Sequence, residues 1–230
     1  MRCETLGARH PACVLLRLSE REGLPIQRTT LLLIRHAQVD LGAPPGVLCG
    51  WLDLPLSPAG RAHLSRLCER LPARARPDAL YTSTLARARE TAAALAAAWR
   101  LDIAPLETLR EIHCGRLEGM RLDELERVHP DLVARNRAQV DEGFAWPEGE
   151  SYAAFRRRVL EGLRAVAASH QGRRVAVVTH AGVVAQVMGA VRGRPAAVWD
   201  RDRPDPLALT EVVWTNGSPE TVVVFNKRDW

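Results

Sequence analysis

The chain has 230 residues, 47% hydrophobic and 26% charged, an ordinary globular balance large enough for one domain with a real core. Its formal net charge of +5 is almost wholly arginine, since Lys227 is the only lysine. No Lys/Arg block with interleaved aromatics occurs, which argues against nucleic acid and for a small anionic substrate.

No apolar run approaches the ~18 residues of a membrane span. The five cysteines (Cys3, Cys13, Cys49, Cys68, Cys114) are odd in number, lack a CxxC pair and read as reduced thiols. Residues 1–28 show no clear periodicity and are expected to be an appended, partly ordered segment ahead of one domain, residues 29–230. Ala12 to Leu16 is too short for a secretion signal and no small-residue cleavage site follows, so the cytoplasm is the default location. Cys3, His10 and Cys13 could be spaced for zinc, but a lone set of this kind carries little weight and no metal is expected.

Thr30 to Ile34 is a short continuous apolar run, the pattern of a parallel strand buried on both faces. Ser57-Pro58 is a helix start, with serine as cap and proline in the first turn, and that helix should stop before Pro72. Ala79 to Tyr81 is a second short strand. The alanine-rich stretch Thr84 to Arg100 is helical by propensity. After Pro105 the chain reads as loop through Gly119, then as two helical pieces broken at Pro130. Gly143 to Gly149 is turn-rich. Ser151 to His170 is an amphipathic helix with Phe155, Val159, Leu163 and Val166 on one stripe. Arg174 to Thr179 is a third buried strand, followed by a helix from Ala181 to Val191. Leu209 to Trp214 and Thr221 to Phe225, separated by Asn216-Gly217, form a terminal antiparallel pair. Alternating strands and helices imply an α/β domain with a mainly parallel sheet.

Three of these strands end in polar sequence: Arg35-His36, Thr82-Ser83-Thr84 and His180. In open α/β sheets the carboxyl ends of strands border the ligand crevice. Taken singly, Arg35-His36 is as easily a surface pair and His180 a structural histidine; two histidines at one sheet edge carry the argument together. Arg87 lies at the start of the next helix, where free N–H groups and a guanidinium fork both suit phosphate oxygens. Arg35, Arg87, His36 and His180 could thus form a cationic pocket for one phosphoryl group.

These residues also fit a family. Leu33-Ile34-Arg35-His36-Ala37 resembles the arginine–histidine–glycine signature of the histidine phosphatase (phosphoglycerate mutase-like) superfamily. Gly50-Trp51-Leu52-Asp53-Leu54-Pro55-Leu56-Ser57 with Gly60, then Ser83-Thr84-Leu85-Ala86-Arg87-Ala88 with Thr91, resemble its next two segments. Leu109 to Gly119, with Glu111, Gly115 and Glu118, resembles its acid-donor loop. Pro147-Glu148-Gly149-Glu150-Ser151 and Val178-Thr179-His180-Ala181-Gly182 resemble its last two. The order is the family's, over roughly residues 30 to 190.

The resemblance implies a three-layer α/β/α sandwich around a mainly parallel sheet and a set of roles. His36 would be the nucleophile, with one ring nitrogen unprotonated and the other held by a hydrogen bond. Arg35, Arg87 and His180 would hold the phosphoryl oxygens, and the two arginines would help keep His36 neutral. Glu111 would protonate the leaving alcohol and then activate water. His113 and Trp146 are candidates for the substrate side of the pocket. No cofactor is implied, and a homodimer is left open.

There are departures from the pattern. Ala37 replaces a glycine, a cost of about 1 kcal/mol if that backbone needs positive φ. Gln38 stands where glutamate is common, and Gly42 near the place of a phosphate-contacting asparagine. Ile112 and Cys114 replace the arginine and tyrosine of the glycolytic mutases, and the stretch from Gly119 to Trp146 is short beside theirs. These features favour a phosphatase on a small phosphorylated metabolite; the short length and the Gly-Trp-Leu-Asp and Glu-Gly-Glu-Ser elements most resemble the α-ribazole and broad-specificity branches, with α-ribazole-5′-phosphate ranked first. The alternatives are a phosphoglycerate mutase and a catalytically inactive binding module on the same fold.

Overall fold

The computed structural model describes residues 28–42, 46–71 and 76–230. Apart from Arg28, which opens the first strand, the segment read as an N-terminal extension lies outside the described residues, as do Cys3, His10 and Cys13.

The elements run β1 (Arg28–Arg35), α1 (Pro58–Arg70), β2 (Ala79–Ser83), α2 (Ala86–Trp99), β3 (Ile103–Leu106), α3 (Leu122–Val128), α4 (Pro130–Ala138), α5 (Tyr152–Ser169), β4 (Arg174–Thr179), α6 (Ala181–Val191), β5 (Leu209–Thr215) and β6 (Ser218–Lys227). They build one six-stranded sheet in the order β3-β2-β4-β1-β5-β6. The first four of that row are mutually parallel, while β5 and β6 run antiparallel as the terminal pair expected from Asn216-Gly217.

The apolar run of β1 serves both faces at once. Leu31 and Leu33 join Phe155, Val159 and Leu163 of α5 and Val183, Val184 and Val187 of α6 on one side. Leu32 and Ile34 join Leu64 and Leu67 of α1 and Ala88, Ala92 and Leu95 of α2 on the other. Two helical layers therefore enclose the sheet, as expected of an α/β/α sandwich. A third cluster, with Leu125, Val133, Phe144, Trp146 and Tyr152, packs α3 and α4 against the loop before α5.

Local signals act where they stand. Ser57 Oγ accepts from the Gly60 N–H at 3.0 Å, and Ser151 Oγ from the Ala154 N–H at 3.2 Å, capping α1 and α5. Strand β3 has no counterpart among the elements expected from the sequence. It is a four-residue edge strand containing Pro105, and an edge is where a sheet tolerates proline. The strand β2 runs two residues past Tyr81 to Ser83, and α2 starts at Ala86 rather than Thr84.

Candidate active site

The sheet register aligns the chemistry. Arg35 of β1 sits opposite Thr179 of β4, so His36 and His180, the next residue on each strand, emerge side by side. The His36 N–H donates to Thr179 O at 2.9 Å, and the two rings lie 5.2 Å apart between centroids at 60°. On the other flank of β4, Ser83 at the end of β2 places its Oγ 2.7 Å from His180 Nε2.

His36 is 6% exposed and His180 fully buried. The His36 Nδ1 lies 2.7 Å from the carbonyl of Ala37, a contact only a protonated Nδ1 can make favourably. That tautomer leaves Nε2 with its lone pair. Burial first, then the charges of Arg87 and Arg35, holds the His36 pKa well below its ordinary value. Burial, Arg87 and His36 do the same to His180. Both rings are therefore neutral at pH 7.

Arg87, 1% exposed in the first turn of α2, is braced by the segment before α1. Its Nη1 donates to Leu52 O at 2.7 Å and its Nη2 to Gly50 O at 2.8 Å, with further guanidinium donors remaining. The Gly50-to-Leu52 segment thus orients the Arg87 guanidinium. Arg35 Nη1 donates to Pro204 O at 2.7 Å. Among the described residues, Arg35 Nε and His180 Nδ1 are buried polar atoms without a protein partner.

Ala37 causes no strain. It is fully buried and is not among the residues with positive φ, so the cost anticipated for the missing glycine does not arise. Its N–H donates to Thr91 Oγ1 at 3.0 Å, and that hydroxyl donates to Arg87 O at 2.8 Å, tying β1 to α2. Gly42 has φ +78°, and a Cβ added there would meet nothing within 4 Å.

Glu111 follows a short 3-10 turn at Glu107–Leu109 and reaches the first turn of α6. Its Oε2 accepts from the Gly182 N–H at 3.0 Å and its Oε1 from the Ile112 N–H at 3.1 Å. A Cβ at residue 182 would lie 2.1 Å from Glu111 Oε1, so glycine is what allows this approach. The Glu111 carbonyl accepts from Trp51 Nε1 at 2.6 Å, and the Trp51 ring packs against His113 at 4.5 Å and the Arg110 guanidinium at 4.9 Å. His113 is therefore a packing partner of Trp51 and does not line the neighbouring cavity.

That cavity, about 390 Å³, begins at Glu111 and Gly182 and is walled by Leu48, Ile112, Trp146 and Trp199 among others. The two arginines of the lining differ: Arg137 is paired with Glu126 at 2.7 Å, whereas Arg203 lies over the Trp199 ring at 5.4 Å. Buried Asp202 binds Arg192 and Arg194, anchoring the segment that carries Arg203 and Pro204. Arg203 gave no sequence signal, lying in a Pro-, Asp- and Arg-rich stretch without periodicity. Ser83 is marked in the sequence as the polar end of a strand, which the sheet order places beside β4 and His180, but the sequence alone assigned it no role.

Comparison with known proteins identifies the family. The model of the histidine phosphatase superfamily (branch 1) matches residues 31–227. Phosphoglycerate mutase-like protein 4 of Arabidopsis thaliana is 32% identical over 171 residues, 73% of this chain and 72% of that protein. The metal-independent phosphoserine phosphatase of the same plant is 30% identical over 162 residues, 68% of this chain and 66% of that protein. Among solved structures, mycobacterial glucosyl-3-phosphoglycerate phosphatase superposes with a TM-score of 0.75 at 26% identity, covering 87% of this chain and 100% of that one. The chain belongs to the histidine phosphatase superfamily, and the phosphatases among its relatives support phosphoric monoester hydrolysis as its activity.

Proposed function

We propose that the chain hydrolyses a small-molecule phosphomonoester through a phosphohistidine on His36. The observation that carries this reading is the His36 ring itself: Nδ1 bound to Ala37 O, Nε2 unprotonated, and arginines close enough to lower its pKa further. Nε2 attacks phosphorus in line and the P–O bond to the alcohol breaks. Glu111 delivers its proton to the departing oxygen. The resulting carboxylate then takes a proton from water, whose oxygen attacks phosphorus as the P–N bond breaks. Inorganic phosphate leaves and His36 regains its lone pair.

Charge builds on the phosphoryl oxygens during both steps. Arg35, Arg87 and His180 are the groups assigned to hold them. His180 Nε2 is occupied by the Ser83 hydroxyl, which leaves Nδ1 as a buried ring nitrogen without a protein partner, free to donate to a phosphoryl oxygen in the tautomer that protonates it. The two arginines supply the positive charge that magnesium provides elsewhere, so turnover should survive a chelator.

Because the cavity starts at the acid, it is the place for the leaving alcohol. Its walls are largely apolar, which suits an alcohol with a ring-sized apolar body better than a glycerate. Among named compounds α-ribazole-5′-phosphate, an aromatic base on ribose phosphate, meets that description. Ile112 and Cys114, facing the cavity, carry no charge to hold a second anionic end, which argues against a mutase, although Arg203 lines the same cavity. The test is kcat/KM across a panel of α-ribazole phosphate, phosphoserine, phosphoglycerates and nucleotides. The ring-bearing alcohols should lead. Isomerisation of phosphoglycerate outpacing phosphate release would defeat the hydrolase reading.

A further inference from the structure

Glu150 belongs to the Pro147-to-Ser151 element, for which the phosphate pocket has no use. It precedes the cap residue of α5, and its carboxylate meets Arg158, two turns into that helix. Nε donates to Oε1 at 2.8 Å and Nη2 to Oε2 at 2.6 Å, a bidentate pair with side chains only 15% and 21% exposed for Glu150 and Arg158.

The rest of the guanidinium faces away from its own helix. Nη1 donates to Thr108 O at 2.9 Å and Arg110 O at 3.1 Å, and Nη2 donates to Glu111 O at 3.2 Å. Together with the pair to Glu150, these bonds engage all five N–H groups of an arginine. Three carbonyls of the loop that carries the acid thus converge on one cation. The fork is fixed in turn by a carboxylate from a different segment.

We propose that Arg158, oriented by Glu150, is a positioning residue that holds the Glu111 loop at the height where its carboxyl meets the leaving oxygen. This rests on the reading of Glu111 as the general acid. Arg158 touches no substrate; it acts through the backbone of residues 108–111. A loop that drifts by about 1 Å can lose up to roughly a hundredfold in rate. That loss should appear only where the leaving group needs a proton.

The experiment measures single-turnover phosphorylation of His36 by an alkyl monoester and by p-nitrophenyl phosphate. The variants are Arg158→Met, Arg158→Lys, Glu150→Gln and Glu111→Gln, with thermal melts for each. Arg158→Met should slow the alkyl ester about ten- to a hundredfold with KM little changed, and p-nitrophenyl phosphate less than about threefold. Lysine keeps the charge without the planar fork and should recover only part of the loss. Added to Glu111→Gln, Arg158→Met should cost nothing further on the alkyl ester, because both act through one group.

Equal damage to both substrates, or full additivity with Glu111→Gln, would overturn the positioning role. If Arg158→Met does not fold, Glu150→Gln must reproduce the selective loss on the alkyl ester, and sparing it would overturn the role as well. If Glu111→Gln itself shows no leaving-group dependence, the acid assignment fails and takes this proposal with it. The two failures are thereby distinguished.

Discussion

The proposed phosphate end and the proposed acid end of the site are held by different kinds of structure. His36, His180 and Ser83 stand at the ends of three adjacent parallel strands, placed by ladders whose side chains are buried on both faces. Glu111 stands in a loop, placed by bonds from Arg158 and Trp51 to its carbonyl and from Gly182 and Ile112 to its carboxylate. Strand ends inherit the cooperative stability of the sheet. A loop depends on the few groups that satisfy its carbonyls, and each of those is a single point of failure. Substitutions at the phosphate end should therefore strike every substrate. Substitutions at the acid end should select by leaving group.

The largest expected effect is at His36. His36→Ala should lower turnover by about a thousandfold or more, near 4 kcal/mol of barrier, on alkyl and aryl esters alike. Circular dichroism should show the fold intact, because a buried neutral imidazole is lost without removing a partner for a charge. Turnover above about a tenth of wild type, near 1.4 kcal/mol, would count against the assignment.

Arg87→Ala comes next. Losing one preorganised charged donor costs about a hundredfold or more, and here both kcat and KM should worsen because the phosphate is gripped before and during transfer. The carbonyls of Gly50 and Leu52 would also lose their partners, so melting temperature should fall as well. A normal KM with an aryl ester would contradict a phosphate grip.

Gly182→Ala probes the other end with a single methyl group. The added Cβ would collide with Glu111 Oε1, the far end of a side chain that can swing away, so the fold should hold. Hydrolysis of an alkyl ester should drop about tenfold, and p-nitrophenyl phosphate should lose far less. Uniform loss on both esters would erase the contrast between the two ends.

The smallest effect is on stability in mild acid. His36 and His180 have pKa values depressed by burial and by neighbouring arginines, so the unfolded chain binds protons near pH 6.5 that the folded chain refuses. Their contribution is fully present above that pH and is lost as pH falls below it, at up to about 1.4 kcal/mol per pH unit for each ring. Urea titrations between pH 7 and pH 5 should show the fall, and His36→Asn should make it shallower. An unchanged slope would mean that His36 takes up a proton in the folded state.

The same contrast decides what could be read in advance. The strands β1 and β4 announce themselves as continuous apolar runs because both faces are covered, and their terminal histidines follow from where the runs stop. Ser57-Pro58, Ser151 and Asn216-Gly217 act within a few residues of themselves, and each marks a boundary that the structure keeps. Strand β3 hid behind Pro105 and its four-residue length. Around Glu111 the supporting bonds end on backbone carbonyls, which look the same in every residue. Nothing in Arg158 as a letter says that it reaches Thr108, Arg110 and Glu111. Only the Pro147-to-Ser151 element hinted that Glu150 had a task.

His36 as the point of covalent attachment is the claim on which the mechanism stands, and rapid-quench trapping tests it most directly. The enzyme is mixed with a radiolabelled phosphomonoester, stopped in alkali within the first turnover, and the labelled peptide is mapped. The prediction is label on His36 in an alkali-stable, acid-labile bond that forms before phosphate is released and is absent from His36→Ala. Phosphate release at the full rate with no label on His36, or label on another residue that persists in His36→Ala, would contradict it.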